Sequence, residues 1–513
     1  MNTLKAKPLF LFIALCVYNY LFWSQNIGIN LPIFSIIILL ANFYFYPEAR
    51  RSKPALMTAF GTLFTAVIVA WQNTNMSICM HFISFFISVG FIHAESLKTI
   101  PYSVWQTFQT YLFIPVTFVE GLRQSEGQYK KLHLLVRFGK RVLIPLTMFI
   151  VFYAIYSNAN LVFARFSNIF WNKVFDFFNL LFIDFSFLHF MFLLLGVMLI
   201  TASVFRRTFS NILSTEKSKT DNLYRIKTVK SNNVPQFFGY IMGLKSEYRT
   251  ATWLLVMVNL LLLVVNCIDI TWVWFGFNYS IDFNYKQSVH DGTYLLIFSI
   301  LLSTAILLFF FRGNLNFYKN NKALRQLAYI WIVQNMILTV SVAIRTWHYI
   351  SFHGLAYKRL GVLIFLSLTV WGLITLYIKI QKTKSVYFLW RTNTWATYTV
   401  LILASAIHWD IFIAKHNLSH KNESAIADFY LEISDHTLPL LYENLDVIEG
   451  QIKKYNMPNY NNTAVTSITD FTSRLNNKKD AYLRKHKTDG WQSWNKSDFE
   501  TLQYLNAHPT PKP

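Results

Sequence analysis

Eleven apolar segments separated by short polar loops constrain the fold of this 513-residue chain more than any other feature. About 20 consecutive apolar residues in a helix cross a hydrocarbon core about 30 Å thick. The segments are residues 9–23, 27–46, 54–71, 74–93, 139–157, 187–205, 249–267, 291–311, 328–348, 360–379 and 394–413. They lack the ten-residue alternation typical of a membrane β-barrel. The pattern therefore predicts an all-α protein, a polytopic bundle of about eleven transmembrane helices.

The distribution of positive charge predicts the orientation of these helices. Six segments that alternate along the chain carry 29 of the 47 Lys and Arg residues, whereas the loops on the opposite face carry six. Cytoplasmic loops of membrane proteins are enriched in Lys and Arg. The N-terminus is therefore predicted to be cytoplasmic, and an odd number of spans places the C-terminus outside. The net charge of +22 then reflects topology and attraction to anionic lipid headgroups, and it does not require nucleic-acid binding.

Four regions follow from this topology. They are a four-span region at 1–93, a cytoplasmic amphipathic segment at 94–138, a seven-span core at 139–413 and a helical extracytoplasmic tail domain at 414–513. Residues 103–120 are interrupted by Gln106, Gln109 and Pro115, which makes the segment too polar to span. We place it on the cytoplasmic surface, with a re-entrant turn as the alternative. The basic loop 206–249 lacks strong periodicity and is interpreted as a solvated cytoplasmic connector.

An amphipathic helix is predicted at 160–186, between the fifth and sixth spans on the outer side. Phe residues recur there at steps of three and four, while Arg165, Asn172 and Asp176 fall on another face. A Phe stripe of this kind lies in the membrane interface. Packing of the stripe against neighbouring helices is the alternative.

The tail carries twelve basic and twelve acidic residues and is predicted to be helical. Its helices are expected at 424–434, 437–449, 466–486 and 498–507. The last of them opens with Ser497 and Glu500 at the spacing of a capping box. The apolar residues of the tail, among them Trp491 and Trp494, suffice for a small core supported by docking on the bundle.

Five strings in this chain resemble, in the same order, a known group of membrane proteins. They are Ser157–Phe163, Val289–Tyr294, the stretch from Tyr349 to Arg359, Ile407–Asn417 and Trp491–Asn495. The chain resembles the bacterial polytopic families filed as domains of unknown function 4153 and 4173. The resemblance implies a helical membrane architecture in a bacterial cytoplasmic membrane, and it implies no activity because those families have none established.

Polar and aromatic side chains at the predicted outer ends are the candidate functional residues. They are His290, Asp291, Arg345, Tyr349, Arg359, Asp410, Asn417, Trp491, Trp494 and Asn495. His408, Asp410, His416 and His420 could bind a divalent metal, but the helix is predicted to end near Asn417, and zinc needs three or four convergent ligands. We therefore expect no metal or cofactor here, and we interpret Asp410 as an acceptor of hydrogen bonds from neighbouring loops.

Three polar residues fall within two of the predicted spans. His81 lies in the middle of the fourth span, and Gln334 and Asn335 lie in the ninth. Such groups usually form hydrogen bonds to a neighbouring helix, each worth about 1 kcal/mol. We interpret them as contacts that hold the helices together.

The sequence favours a non-enzymatic function. It contains no Walker loop, no metalloprotease motif, no nucleophile elbow and no dinucleotide fingerprint. Ion-coupled carriers keep ionisable residues inside their spans, and here the Asp, Glu, Lys and Arg residues lie near the span ends. We therefore expect an envelope scaffold or sensor that engages membrane lipids or an envelope protein through its outer face and tail. A carrier of an uncharged or lipidic solute and a membrane-embedded transferase are the alternatives.

Overall fold

A computed structural model describes most of the chain as helices. The described residues are 3–114, 145, 148–149, 152–153, 155–181, 186–225, 236–237, 240–241, 243–275, 285–419, 427–455 and 467–508. The first helices are α1 (Thr3–Phe22), α2 (Asn30–Phe45), α3 (Lys53–Gln72), α4 (Asn75–His93), α5 (Ile100–Leu112), α6 (Leu161–Leu181), α7 (Phe187–Val204) and α8 (Ser210–Lys217). A two-residue antiparallel hairpin follows, with strands β1 (Gln236–Phe237) and β2 (Tyr240–Ile241).

The second half of the chain continues the helical pattern. Its long helices are α9 (Leu244–Asp269), α10 (Tyr285–Phe310), α11 (Lys322–His353), α12 (Tyr357–Gln381), α13 (Val386–Ser405) and α14 (Trp409–Ser419). The tail contains α15 (Ala427–Glu432), α16 (Leu438–Glu443), α17 (Leu445–Tyr455), α18 (Ile468–His486) and α19 (Lys496–Ala507). Short 3₁₀ turns occupy Pro47–Arg51, Asn314–Phe317, Asp435–Thr437 and Trp491–Ser493, and a π-helical turn occupies Ile270–Trp274.

Several helices are long and apolar enough to cross a membrane. Among the described residues there are six: Lys53–Gln72, Asn75–His93, Phe187–Val204, Leu244–Trp274, Lys322–Ser351 and Tyr357–Gln381. The pair α13 and α14 forms a seventh if it is one bent span. The helical class expected from the apolar segments is confirmed, with six or seven candidate spans among the described residues, whereas the number of eleven spans stays a prediction. The predicted span 139–157 lies largely outside the described residues.

The chain divides into two compact units. Unit 1 comprises Met1–Glu216 and Thr488–Lys496, and unit 2 comprises Lys217–Lys487 and Ser497–Pro513. The nine-residue segment 488–496, which we call the tail loop, therefore belongs to unit 1 although the rest of the tail belongs to unit 2. The division into four regions expected from the sequence stays a prediction.

In unit 1, three helix ends meet in a polar cluster that we call the basic end. The Tyr46 hydroxyl after α2 donates to the carbonyl of Val204 at 2.6 Å and accepts from Lys7 Nζ in α1 at 3.0 Å. Arg206 after α7 forms an ion pair with Glu48. The start of α1 and the ends of α2 and α7 therefore lie at one end of the unit, as an up-and-down topology requires.

Helix α5 packs its polar face on α4. Ser103 and Thr107 are completely buried and donate to the carbonyls of Ile87 and Phe86 at 2.7 and 2.9 Å. A Cβ at Gly90 would lie 2.3 Å from the carbonyl oxygen of Ser103, so this contact requires glycine. The polarity that argued against a span at 103–120 is thus turned toward the protein, and the remainder of that segment lies outside the described residues.

Unit 2 is built around a continuous apolar cluster of α9 to α13. Its buried members include Leu255, Ile300, Trp331 and Leu376. Burial of such side chains stabilises the cluster where it removes apolar surface from water. Between helices in lipid, close van der Waals contact stabilises the packing. Helix α12 stabilises the turn after α10, because the completely buried Lys379 of α12 donates from Nζ to the carbonyl of Phe311 at 2.7 Å.

The mid-span polar residues mostly form the interhelical bonds expected of them. His81 contacts Ser35 Oγ of α2 through Nε2 and the carbonyl of Thr62 of α3 through Nδ1, both at 3.2 Å. Gln334 donates to Asn259 Oδ1 at 3.0 Å. The expectation is wrong for Asn335, whose amide donates to the carbonyl of Trp331 within its own helix at 2.7 Å.

Three details differ from the sequence-based expectations. The predicted span 394–413 is not one straight helix, because α13 and α14 meet at 65° across residues 406–408. The loop 206–249 contains α8 and the β1–β2 hairpin, and Asn222 pairs with Lys384 in an isolated bridge. Ser497 does not open a capping box, since α19 begins one residue earlier.

Candidate functional site

A cluster of buried polar groups in unit 2 lies at the bend between α13 and α14. The indole of Trp409 donates to the carbonyl of Ala404 at 2.9 Å and thereby satisfies one carbonyl that the broken helix frees. Asp410 follows in the first turn of α14, where a carboxylate complements the helix dipole. The bend therefore places polar side chains beside the buried core of the tail.

Asp410 connects the bend to two other elements. Its Oδ1 accepts from the Tyr357 hydroxyl at the start of α12 and from the backbone N–H of Ser434 at 3.2 Å. Asp410 is buried, so these donors replace the water that a carboxylate otherwise requires. The expected role of Asp410 as an acceptor from neighbouring segments is confirmed.

A second chain of hydrogen bonds runs from the bend into the tail. His408 Nε2 lies 3.3 Å from His436 Nδ1, and His436 Nε2 lies 2.7 Å from Asp498 Oδ1. The Tyr482 hydroxyl donates to the same carboxylate oxygen at 2.7 Å, and His486 Nε2 lies 3.9 Å from it. We call these five side chains, together with Asp410, the bend network.

The bend network contains a tyrosine with a perturbed pKa. Burial and the neighbouring charge of Asp498 raise the pKa of Tyr482, so its hydroxyl stays a donor. His436 Nε2 faces Asp498 Oδ1, while Nδ1 of the same ring faces both His408 Nε2 and the Ser434 hydroxyl, which is 3.1 Å away. The His436 ring therefore connects the bend to Asp498.

Ser434, His436 and Asp498 lie in the order of a nucleophile, a base and an orienting acid. However, Ser434 Oγ also accepts from the backbone N–H of His436 at 3.4 Å and caps a 3₁₀ turn. A serine two residues before a histidine meets it through this local turn alone. The arrangement is thus explained by capping, and it does not indicate a hydrolase.

The metal hypothesis receives no ligand set from the described part of the chain. No group of three or more His, Cys, Asp or Glu side chains is placed to hold an ion within the residues that the structure describes. His420 lies outside those residues.

Three candidate residues hold the turn between α11 and α12. Asn417 accepts from the Leu355 N–H at 2.6 Å and donates to its carbonyl at 2.9 Å, so one side chain satisfies both backbone groups. The Arg359 guanidinium lies 4.5 Å from the ring centre of Tyr349 and donates to the carbonyls of His353 and Gly354. Gly354 has φ of 76°, a conformation that favours glycine. These contacts stabilise the turn, and each of them joins two groups of the protein.

The remaining candidates of unit 2 separate from this cluster. Arg345 of α11 forms an ion pair with the buried carboxylate of Asp269 in α9. His290 and Asp291 belong to α10, and their side chains lie outside the described residues. Of the ten candidates, the structure brings four together near the turn between α11 and α12: Tyr349, Arg359, Asp410 and Asn417. Arg345 lies apart from them, in its ion pair with Asp269.

Trp491, Trp494 and Asn495 belong to the tail loop, which docks on the turn between α1 and α2 in unit 1. Gln25 Oε1 accepts from the Gly490 N–H at 2.9 Å and from Ser493 Oγ at 3.0 Å. Asn26 donates to Asp489 at 2.7 Å, and the Ile29 N–H donates to the carbonyl of Trp494 at 2.8 Å. The tail loop thus lies at the end of α1 opposite to Lys7, and we call this the tail-loop end.

Aromatic side chains ring the tail-loop end. Trp491 is 55% exposed and its ring centre lies 6.3 Å from that of Tyr20, while Trp494 is 45% exposed. Lys496 Nζ lies 3.9 Å from the ring centre of Trp71 at the end of α3. Asn495 is buried. The expectation that Trp491 and Trp494 belong to the core of the tail is wrong, because both present their rings outward.

Sequence reasoning missed His436, Tyr482 and Asp498. No local pattern marks them, because they are 16 to 62 residues apart and meet only through tertiary packing. Sequence reasoning also missed Gln25 and Asn26, which contact the tail loop. Their amide chemistry, which offers both donors and acceptors, was the available signal.

A family model described as "Domain of unknown function (DUF4153)" matches residues 34–444 of the chain. No curated protein and no solved structure matches this chain.

Proposed function

The chain belongs to the family Domain of unknown function (DUF4153), and from this premise we propose that it is an integral membrane scaffold or sensor of the bacterial inner membrane. Its basic end faces the cytoplasm, and its tail engages lipid or an envelope protein outside. The helices described above are compatible with an integral membrane protein. The proposal adds sidedness and role to that architecture.

The observation that carries the proposal is the separation of charge and aromatic groups in unit 1. Lys7 and Arg206 lie at the basic end, whereas the tail loop with its exposed Trp491 and Trp494 lies at the opposite end of α1. A 20-residue helix is about 30 Å long, close to the hydrocarbon thickness. Basic residues favour the cytoplasmic face, and exposed Trp side chains favour the interface.

In this proposal the chain crosses the membrane eleven times. Three shorter apolar helices, Ala6–Phe22, Asn30–Phe45 and Tyr294–Phe310, join the six long helices and the bent pair. The remaining span of the proposal is the one predicted from sequence at 139–157, which lies largely outside the described residues. Helix α6 lies in the outer interface, which is supported by the exposure of Phe166 and Phe170 at 67% and 61%.

The bend network supports a sensor rather than a passive anchor. The tail core includes Ala414 and Leu418 of α14 together with Tyr430, Phe471 and Leu475 of the tail. A change in the tail core therefore acts on the helix that follows the bend, because both contribute to the same apolar cluster. Titratable groups at that point provide a way to bias the bend.

Sidedness is tested with single cysteines. Cys16, Cys79 and Cys267 are free and exposed, so they are first replaced by alanine. In that background we expect a membrane-impermeant maleimide to label Asp446→Cys in intact cells and to label Arg50→Cys only after permeabilisation. Both wild-type side chains are exposed, so access to the reagent decides the result. Labelling of Arg50→Cys alone in intact cells contradicts the proposal.

The role of the tail is tested by photo-crosslinking from position 491 in native membranes, with position 446 as the matched control. A specific lipid or protein adduct from position 491 supports the scaffold or sensor. Absence of any specific adduct counts against it.

A carrier of an uncharged solute is the second candidate. It is favoured by the polar side chains buried between α2, α3 and α4, where Ser35, His81, Thr62 and Ser84 form a continuous hydrogen-bonded series. Swelling of proteoliposomes in uncharged solutes, compared with liposomes lacking protein, tests this alternative.

A further inference from the structure

Unit 1 contains buried polar atoms that find no hydrogen-bond partner among the residues that the structure describes. Both amide atoms of Asn42 in α2, the hydroxyl of Ser88 in α4 and the hydroxyl of Thr201 in α7 have no hydrogen-bond partner within the described chain. His93 Nδ1 is a fifth such atom. All four residues are completely buried. A buried amide or hydroxyl without a partner is costly, so each such group requires an explanation.

Helical geometry places Asn42 and Ser88 at the same level. α2 and α4 both end at the basic end, where the ring centres of Tyr46 and His93 lie 5.9 Å apart. Farther along the same two helices, Ser35 Oγ and His81 Nε2 are 3.2 Å apart. Asn42 follows Ser35 by seven residues and Ser88 follows His81 by seven, which is about two turns on an unchanged helix face. Asn42 and Ser88 therefore lie between the two contacts, on the faces that meet.

Thr201 reaches the same level from α7. The carbonyls of Ser203 and Val204 accept from His93 Nε2 at 2.9 Å and from the Tyr46 hydroxyl at 2.6 Å. Thr201 precedes them by less than one turn. Asn42, Ser88 and Thr201 thus lie on three helices at one level, in a layer about one turn inside the basic end.

The chemistry of the layer selects its occupant. An amide offers two donors and an acceptor, each hydroxyl offers one donor and two lone pairs, and an imidazole nitrogen offers either role. None of these groups carries a fixed charge. Lys7, Arg206 and Glu48 are engaged with Tyr46 and with each other at the basic end. The set suits an uncharged molecule with several hydrogen-bonding groups. It offers no opposite charge that would compensate an ion for the loss of its hydration shell.

We propose that Asn42, Ser88, Thr201 and His93 form a buried binding site for uncharged hydrogen-bonding molecules, with ordered water as the minimal ligand. Buried waters typically make about three hydrogen bonds to polar groups of this kind. Tyr46 closes the site toward the basic end. The inference is independent of the scaffold proposal, since the site exists whether the tail binds a partner or not.

The sign of a stability change tests the site. An occupied site makes Thr201→Val destabilising, because a ligand loses a partner while the side-chain volume is kept. We expect the equilibrium constant for unfolding in SDS to rise by about tenfold. If the hydroxyl is unpaired and dry, the same change stabilises the protein. Asn42→Leu should act in the same direction, and Thr201→Val keeps the test available if that variant does not fold.

A matched control separates this effect from loss of a helix hydrogen bond. Thr110 is also completely buried in unit 1, but its hydroxyl donates to the carbonyl of Gln106 at 2.9 Å. Thr110→Val therefore measures the cost of losing a local bond, and Thr201→Val should exceed it. An effect of Thr201→Val that is equal, absent or stabilising overturns the proposal.

Radiolytic footprinting provides a readout that stability alone does not. Hydroxyl radicals formed from ordered water oxidise adjacent side chains that bulk solvent does not reach. We expect oxidation of Tyr46 and His93, which are 4% and 0% exposed, and a loss of that oxidation in Asn42→Leu. Unmodified Tyr46 and His93 in the wild-type protein overturn the proposal.

Discussion

Replacement of Gly28 by alanine should release the tail loop from unit 1 without unfolding the helices. A Cβ at this position would lie 2.3 Å from the carbonyl oxygen of Ser493 and 2.6 Å from that of Trp494. Both are backbone atoms, so no side-chain rotation relieves the clash. Gly28 does not have a positive φ, and alanine is therefore excluded by space rather than by backbone conformation.

The magnitude follows from the contacts that hold the tail loop. Four hydrogen bonds join residues 25–29 to residues 489–494. At a net value of about 1 kcal/mol each, their loss costs about 4 kcal/mol. This corresponds to a change of roughly 10³ in the opening equilibrium, because 1.4 kcal/mol is a factor of ten.

Hydrogen exchange measures this opening directly. The amides of Gly490 and Ile29 should lose about 10³ in protection in Gly28→Ala, while α3 and α4 stay unchanged. Gly450→Ala is the matched control, since a Cβ there meets nothing within 4 Å. Protection of the tail loop at the wild-type level in Gly28→Ala would refute the steric argument.

Three further changes probe unit 2. Asp498→Asn removes the charged acceptor shared by His436 and Tyr482, and we expect a loss of about 2 kcal/mol in unfolding free energy, measured by thermal unfolding in detergent; an unchanged midpoint contradicts it. Asn417→Ala leaves both backbone groups of Leu355 unpaired and should cost about 2 to 4 kcal/mol in the same assay, whereas a neutral result shows that the turn does not need this clamp. Because the pKa of Tyr482 is raised, its contribution to stability is fully present below about pH 10, the unfolded value, and is lost as pH rises further; Tyr482→Phe should remove that part of the alkaline destabilisation, and identical pH profiles would exclude it.

The candidate residues divide according to what local sequence can reveal. Asp410 was recognisable because an acidic residue just after an apolar run needs donors, and those donors are Tyr357 and Ser434. Asn417 and Arg359 were recognisable as polar groups near helix ends. Nothing local distinguishes Asp498 or Asn42 from other polar residues. Their importance arises from neighbours that are distant in the chain.

Apolar length and periodicity by themselves determined the helical class of this protein and the positions of most long helices. A helix satisfies its own backbone hydrogen bonds within one segment, so about 20 apolar residues suffice to specify it. Apolar length alone predicts neither the amphipathic helix at 160–186 nor the bend that begins at residue 406. The helix at Leu161–Leu181 agrees with its 3.6-residue periodicity, whereas the 65° bend interrupts a segment that is apolar throughout.

Only the tertiary structure decided which polar groups meet. The tail loop docks on residues 25–29 although more than 460 residues separate them, and His408 reaches Asp498 through His436. Such contacts depend on the relative rotation and depth of helices, which van der Waals packing and hydrogen-bond geometry determine together. The sequence of one helix does not specify which helix packs against it. The level shared by Asn42, Ser88 and Thr201 therefore exists only once the helices are packed.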